Sequence, residues 1–343
     1  MCSSDLALRA PPRAWQPWTG PQAAAGHTER QAADDQARQS FEATLAWQAQ
    51  DPARRAVLAW GDPAYPALLL QTADPPPLLW LTGDSDWLSR PCVAIVGSRS
   101  ATPQGLDNAR AFARALSQAG LTVVSGLASG IDGAAHEGAL EGPASTVAVT
   151  GCGPDLVYPT RHRRLAARIT EAGALLTEHP PGTPPLAPHF PKRNRIIAGM
   201  SLGTLVVEAA PQSGSLITAR LALEANREVF AIPGSIHSPQ ARGCLQLIQQ
   251  GAQLVTGVQD LLDALPRHAL APTGASAAPA LAPAAAEQDP LLRALGHDPI
   301  SLDELADRCG WPADALQARL LDLELDGRVA RLPGGQVQRL ARA

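Results

Sequence analysis

The chain has 343 residues, 45% of them hydrophobic and 17% charged, with a formal net charge of −4. That length holds one domain with a full core and a smaller second one, and the composition excludes both a disordered chain and a globally basic polyanion binder. No apolar run reaches the roughly 18 residues of a membrane span, so no membrane association is expected.

The N-terminus lacks the basic-then-apolar order of a secretory signal. Five scattered cysteines without CxxC spacing suit a reducing cytoplasm and give no thiolate metal site. Residues 1–44 are rich in Ala, Gln, Pro and Arg without a clean period, and are expected to form a poorly ordered or degenerate lead-in. An amphipathic helix is predicted from Phe41 to Leu58, and Leu78 to Leu81 is predicted as an edge strand.

The organising stretch runs from Cys92 to Asp132. A buried-looking strand, Cys92 to Val96, breaks at Gly97-Ser98-Arg99; a helical pattern follows from Gln104 to Ala119; a second strand from Leu121 ends at Ser125-Gly126. This βαβ unit calls for a parallel sheet with a right-handed crossover. Ser129-Gly130-Ile131-Asp132 reads as a capping box for the next helix.

Alternation continues through strands at Ser145–Thr150, Ala174–His179, GTLVVEA and EVFAIP, with helices between them. The predicted fold is α/β, a Rossmann-like doubly wound, mostly parallel sheet spanning residues 45–265. Residues 266–288 form an Ala/Pro linker too poor in large apolar side chains to bury a core. Residues 289–343 read as three short helices and a Gly-Gly hairpin, a small winged-helix domain.

In an open α/β sheet the carboxyl ends of the strands receive the ligand. Here those loops are small, polar and glycine-containing, and the first carries Arg99, so an anion is the expected guest. The first turn, GSRSATPQG, places an arginine where a dinucleotide fingerprint needs its second glycine, and no P-loop exists. Arg99 is either a phosphate clamp or a loop anchor. Gly97, Ser98, Ser125, Gly126 and Gly130 are either close-approach positions for phosphate or ordinary turn residues.

From Tyr158 to Arg195 the chain has seven Lys/Arg against Glu171 and Glu178, a local basic excess that includes Arg161, Arg163, Lys192, Arg193 and Arg195. Phe190 beside Lys192, Arg193 and Asn194 is either a base-stacking aromatic or a core plug. Ser213-Gly214-Ser215, with Thr218 one turn on, puts amides at a helix N-terminus, where Ser215 also reads as a plain N-cap. Glu208 has no base, metal cluster or nucleophile near it in sequence, and His136 and His237 read as lone structural histidines. No catalytic constellation and no cofactor site emerge.

VAIVGSR, SGLASGIDGAAHEGAL, GCG followed by YP, HFPKRNRIIAG, VVEA with SGSLITA, and VFAIPGS with LIQQGA follow in order. Together they resemble the DNA-processing protein A family (DprA, also called Smf) over about residues 60 to 265, and the C-terminal segment resembles its appended winged helix. The helical domain usual at the family's front has no counterpart in residues 1–44. The resemblance implies a homodimeric single-stranded DNA binder that protects incoming DNA and helps load the RecA recombinase in natural transformation, without catalysis. It makes Arg99 the clamp and Phe190 the stacking aromatic, and turns Ser125-Gly126 and Ser213-Gly214 toward the same strand. Arg161 or Arg163 would supply the family's basic position after the YP pair. Two other classes remain open. One is a nucleotide phosphoribohydrolase, suggested by GTLVVE without its double glycine; the other is a winged-helix transcriptional regulator.

Overall fold

The computed structural model describes residues 27–266, 289–296, 298–332 and 334–340. Helix α1 (His27–Ala49) leads to β1 (Arg55–Ala59), the single turn α2 (Ala67–Leu70) and β2 (Leu78–Gly83). Then come β3 (Cys92–Val96), α3 (Pro103–Gln118), β4 (Thr122–Ser125), α4 (Ile131–Ala139), β5 (Thr146–Val149), α5 (Arg163–Ala172) and β6 (Ala174–Thr177). The large unit closes with α6 (His189–Met200), β7 (Gly203–Val206), α7 (Gly214–Glu224), β8 (Glu228–Ala231), α8 (Arg242–Gln249), β9 (Gln253–Leu254) and α9 (Val258–Ala264).

These strands form one nine-stranded sheet in the order β1-β2-β6-β5-β4-β3-β7-β8-β9. From β6 to β9 every pairing is parallel, while β2 and β1 add on antiparallel. The central strands read as continuous apolar runs because both faces are covered. Along β3, Ala94 and Val96 face one core with Ile196, Met200 and Ala219, whereas Val93 and Ile95 face the other with Phe112, Leu116 and Ile131. Thr102 caps α3 by accepting the Gly105 amide at 3.0 Å, and Pro103 occupies its first turn.

The N-terminal expectations need correction. Residues 1–26 lie outside the described residues, but from His27 onward the expected loose lead-in is helix. The helix predicted over Phe41–Leu58 stops at Ala49, because Pro52 lacks an amide for a continuing helix and pushes its predecessor out of the helical region. Residues 55–59 instead pair with β2, and Trp47 packs on Val57 and Trp80. That pairing makes β1 the edge strand and puts β2 inside the sheet. The linker expectation, apart from residue 266, lies outside the described residues.

The C-terminal unit comprises α10 (Pro290–Leu295), β10 (Ile300–Ser301), α11 (Leu302–Cys309), α12 (Ala313–Leu325), β11 (Val329–Leu332) and β12 (Gln336–Arg339). Its three strands pair antiparallel in the order β10-β12-β11. It buries its own core of Leu291, Leu295, Leu305, Leu316, Leu320 and Leu323. Among the described residues, no helix is long and apolar enough to cross a membrane.

Candidate functional site

The chain steps from β3 through β4 and β5 to β6 on one side, then returns to β7 on the other side of β3. At such a switch point the loops after adjacent strands diverge and leave a crevice. Here the crevice has a volume of about 490 Å³ and collects residues from four loops, among them Ser98, Arg99, Phe190, Ser213, Ser215 and Thr218.

Arg99 is exposed at its mouth, and no carboxylate lies within ion-pair distance of it among the described residues. Its guanidinium carbon lies 5.7 Å from the centre of the Phe190 ring. Phe190 is half-buried, and Tyr158 lies against it with ring centres 5.4 Å apart. Tyr158 belongs to no sequence motif beyond its YP pair, although it is one of just two tyrosines and stands beside the basic run. An exposed cation and a half-buried aromatic ring at one crevice mouth suit a phosphate with its attached base.

The opposite wall is the start of α7. The Ser213 and Ser215 hydroxyls lie 2.7 Å apart, Ser215 donates its amide to Ser213 Oγ at 3.3 Å, and Gly214 faces open space. Thr218 is buried in the lining. Gln212 and Gln240 also line the crevice, and no sequence pattern singles them out. Gly130, at φ +77°, presses against the Ser98 and Arg99 carbonyls, which a side chain would clash with.

Ser125 and Gly126 lie elsewhere than the phosphate reading expects. Ser125 is fully buried and donates to the Ile95 carbonyl at 2.6 Å. The Gly126 amide donates to Asp132 Oδ2 at 3.1 Å, as the Ala128 amide does at 3.3 Å. Asp132 is therefore not part of a capping box; it turns back to hold the loop before its own helix. His136 completes this scaffold: Nε2 accepts from the Leu127 amide at 3.2 Å, and Nδ1 meets Thr146 Oγ1 at 2.8 Å. Since the Thr146 hydroxyl already donates to the Val123 carbonyl at 2.6 Å, Nδ1 is the donor and the ring is neutral. Burial, first of all, lowers its pKa to about 3.

The basic run divides as well. Arg193 is 3% exposed and donates to the Gly126 carbonyl at 2.6 Å and to the Val149 carbonyl, which locks the loop after β4 to the end of β5. Burial lowers its pKa to about 10, with Asp132 opposing and Arg99 adding to the shift. An arginine so enclosed is a structural clamp with a face on the crevice, not a free phosphate ligand. Arg195 bridges Glu178 at 2.7 Å and Asp74 at 2.9 Å, and Lys192 lies 3.4 Å from the same Glu178. Asn194 reaches the Gly214 carbonyl at 3.4 Å and lines the crevice. Arg161 and Arg163 are exposed beside α5 but do not line it. Between them, His162 Nδ1 lies 2.9 Å from the Leu127 carbonyl in the loop after β4. Three of the seven basic residues, Lys192, Arg193 and Arg195, are thus held by internal partners, which spacing alone cannot reveal, whereas Arg161, Arg163, Arg164 and Arg168 stay exposed.

Fold and crevice together define a Rossmann-like protein with a polar crevice at the switch point, an exposed arginine at its mouth and an appended winged helix. The family described as DNA recombination-mediator protein A matches residues 56–266, and the DprA winged helix domain matches residues 275–335. The chain belongs to this DNA-processing family. It is 44% identical over 311 residues to Protein Smf of Escherichia coli (strain K12), covering 89% of this chain and 82% of that protein. It is 48% identical over 201 residues to DNA processing protein DprA of Streptococcus pneumoniae (strain ATCC BAA-255 / R6), covering 59% and 71%. The X-ray structure of DNA processing protein A from Streptococcus pneumoniae superposes with a TM-score of 0.61 at 44% identity, covering 64% of this chain and 78% of that one. A structure of DNA processing protein A from Helicobacter pylori, described for its unique single-stranded DNA binding mode, gives 0.56 at 30% identity, covering 61% and 94%.

Proposed function

We propose that this protein binds single-stranded DNA in the crevice between β3 and β7, with little dependence on sequence. The observation that carries the reading is Arg99, exposed and without an acid partner among the described residues, facing Phe190 across the mouth of that crevice. Phosphate contacts position a strand and a π-face accepts any base, so the pair holds DNA without reading it. The relative from Helicobacter pylori, described for binding single-stranded DNA, supports the same guest here.

In the cell this would make the chain a cytoplasmic recombination mediator, acting as a homodimer that protects incoming DNA and helps load RecA during natural transformation. The domain division follows: a Rossmann-like unit over 45–265 binds the strand, and a linker over 266–288 carries the winged helix of 289–343. The role is binding without a chemical step. Glu208, the acid that ends the GTLVVE stretch, has both oxygens engaged by Thr102, at 2.9 Å and 2.5 Å.

A titration of labelled oligonucleotides, single- against double-stranded, at two salt concentrations tests this. With about four to six phosphates contacted, log affinity falls with log salt at a slope of about −3 to −4. Equal or tighter binding to duplex overturns the reading.

A further inference from the structure

We infer that Glu208 is the positioning residue of the Arg99 loop, a role that rests on the crevice binding DNA through Arg99. The loop leaves β3 at Gly97 and enters α3 at Thr102, and both of its ends are tied to this one residue. At the first end the Ser98 amide donates to the Glu208 carbonyl at 2.8 Å. At the second end the Thr102 amide donates to Oε2 at 2.9 Å and the Thr102 hydroxyl donates to Oε1 at 2.5 Å. The same hydroxyl accepts the Gly105 amide at 3.0 Å, so the carboxylate orients the cap of α3 as well as the loop. Arg99, Ser100 and Ala101 hang between these anchors.

The neighbouring glycines show how closely the chain is wrapped around Glu208. A Cβ on Gly97 would lie 2.9 Å from the Glu208 carbonyl oxygen, and one on Gly105 would lie 2.5 Å from its Oε1. Burial raises the pKa of the carboxyl, opposed by the two Thr102 donors. Burying an acid far from any cation is unfavourable unless donors satisfy it. Here the donors belong to the segment carrying the exposed arginine. An arginine on a loosely held loop must be ordered when it meets phosphate, and the lost freedom weakens binding.

The test is a double-mutant cycle in the full chain, read as affinity for a labelled single-stranded oligonucleotide at one low salt concentration. Arg99→Ala tests the underlying reading: without at least a tenfold loss, the crevice reading itself fails. Given that loss, Glu208→Ala is expected to weaken binding about fivefold or more in the parent, and less than twofold in the Arg99→Ala background. Equal losses in both backgrounds overturn the inference, because a general structural role is blind to whether Arg99 is present. Gly105→Ala leaves both side chains in place but crowds the carboxylate, and is expected to reproduce the loss. Should Glu208→Ala not fold, Glu208→Gln and Gly105→Ala carry the cycle. The amide keeps one acceptor for the Thr102 amide, so Glu208→Gln is expected to retain more affinity than Gly105→Ala. Full affinity in both folded variants also overturns the inference.

Discussion

The guanidinium of Arg99 and the ring of Phe190 face each other at 5.7 Å across the crevice mouth, although 91 positions apart in the chain (190 − 99). They come from the loop after β3 and the first turn of α6, on the two sides of the site where a strand would enter.

Replacing Arg99 with alanine is expected to lower oligonucleotide affinity by about tenfold or more, as a charge-assisted contact is worth roughly 1.5–3 kcal/mol. The side chain is exposed and buries little, so the melting temperature stays nearly unchanged. Paired melting and binding curves check this; unfolding would make Arg99 a loop anchor.

Arg193 is expected to behave in the opposite way. Its removal leaves the Gly126 and Val149 carbonyls without their buried donor and Asp132 without its nearby cation. Such losses cost about 3–5 kcal/mol. Thermal or urea unfolding of Arg193→Met should show a marked drop in stability; a stable variant with a selective binding defect would return Arg193 to the list of direct contacts.

Phe190→Ala should lose about 1–3 kcal/mol of binding, the stacking share of one base, and Phe190→Trp should keep most of it. The ring is half-buried against Tyr158, so the stability loss stays below the roughly 3–5 kcal/mol of a fully buried phenylalanine. Calorimetry on both variants beside binding curves separates the two contributions.

His136 makes stability depend on pH. Its pKa is about 3 in the folded chain, below the ordinary 6.5. Between these values the unfolded chain binds a proton that the folded chain refuses, so stability falls as pH drops from about 6.5 toward 3, by at most about 1.4 kcal/mol per pH unit. Asp132 and Glu208, raised by burial, work in the opposite sense above their ordinary range. The measurement is therefore a difference: urea unfolding of the parent and of His136→Gln across this window. The parent should show the steeper acid loss; parallel curves would refute the assignment.

The winged helix should contribute little to strand binding. Helix α12 exposes Asp314 and Asp322, while Arg319, its one arginine, is held by Asp289 at 2.6 Å; Arg331 in β11 is held by Glu324 at 3.0 Å. Acids facing phosphate repel it, and a helix without an unpaired cation is a poor groove reader. A chain ending after Leu265 should keep its affinity for single strands within about tenfold. A larger loss in a folded, dimeric truncation would make the C-terminal unit a DNA reader. The contact to watch is Gln338, which reaches Gln104 of α3 at 3.1 Å.

The alternating strands and helices are legible in the sequence, because continuous apolar runs such as Cys92–Val96 and the spacing of Phe112 and Leu116 are local signals. The sequence also pointed to the loops at the carboxyl ends of the strands, where an open α/β sheet receives its ligand, and it singled out Arg99 and Phe190 there. Local signals failed where pairing is nonlocal. Residues 55–59 are a strand because β2 lies beside them, not because of their own period. Tertiary structure alone decided which polar groups are free. Arg193, Arg195, Ser125 and Gly126 resemble Arg99 and Ser213 on paper, yet their partners at Val149, Glu178, Ile95 and Asp132 come from other segments of the chain. A charge or an amide can serve a ligand only if the fold leaves it unsatisfied, and that depends on neighbours that sequence order does not show.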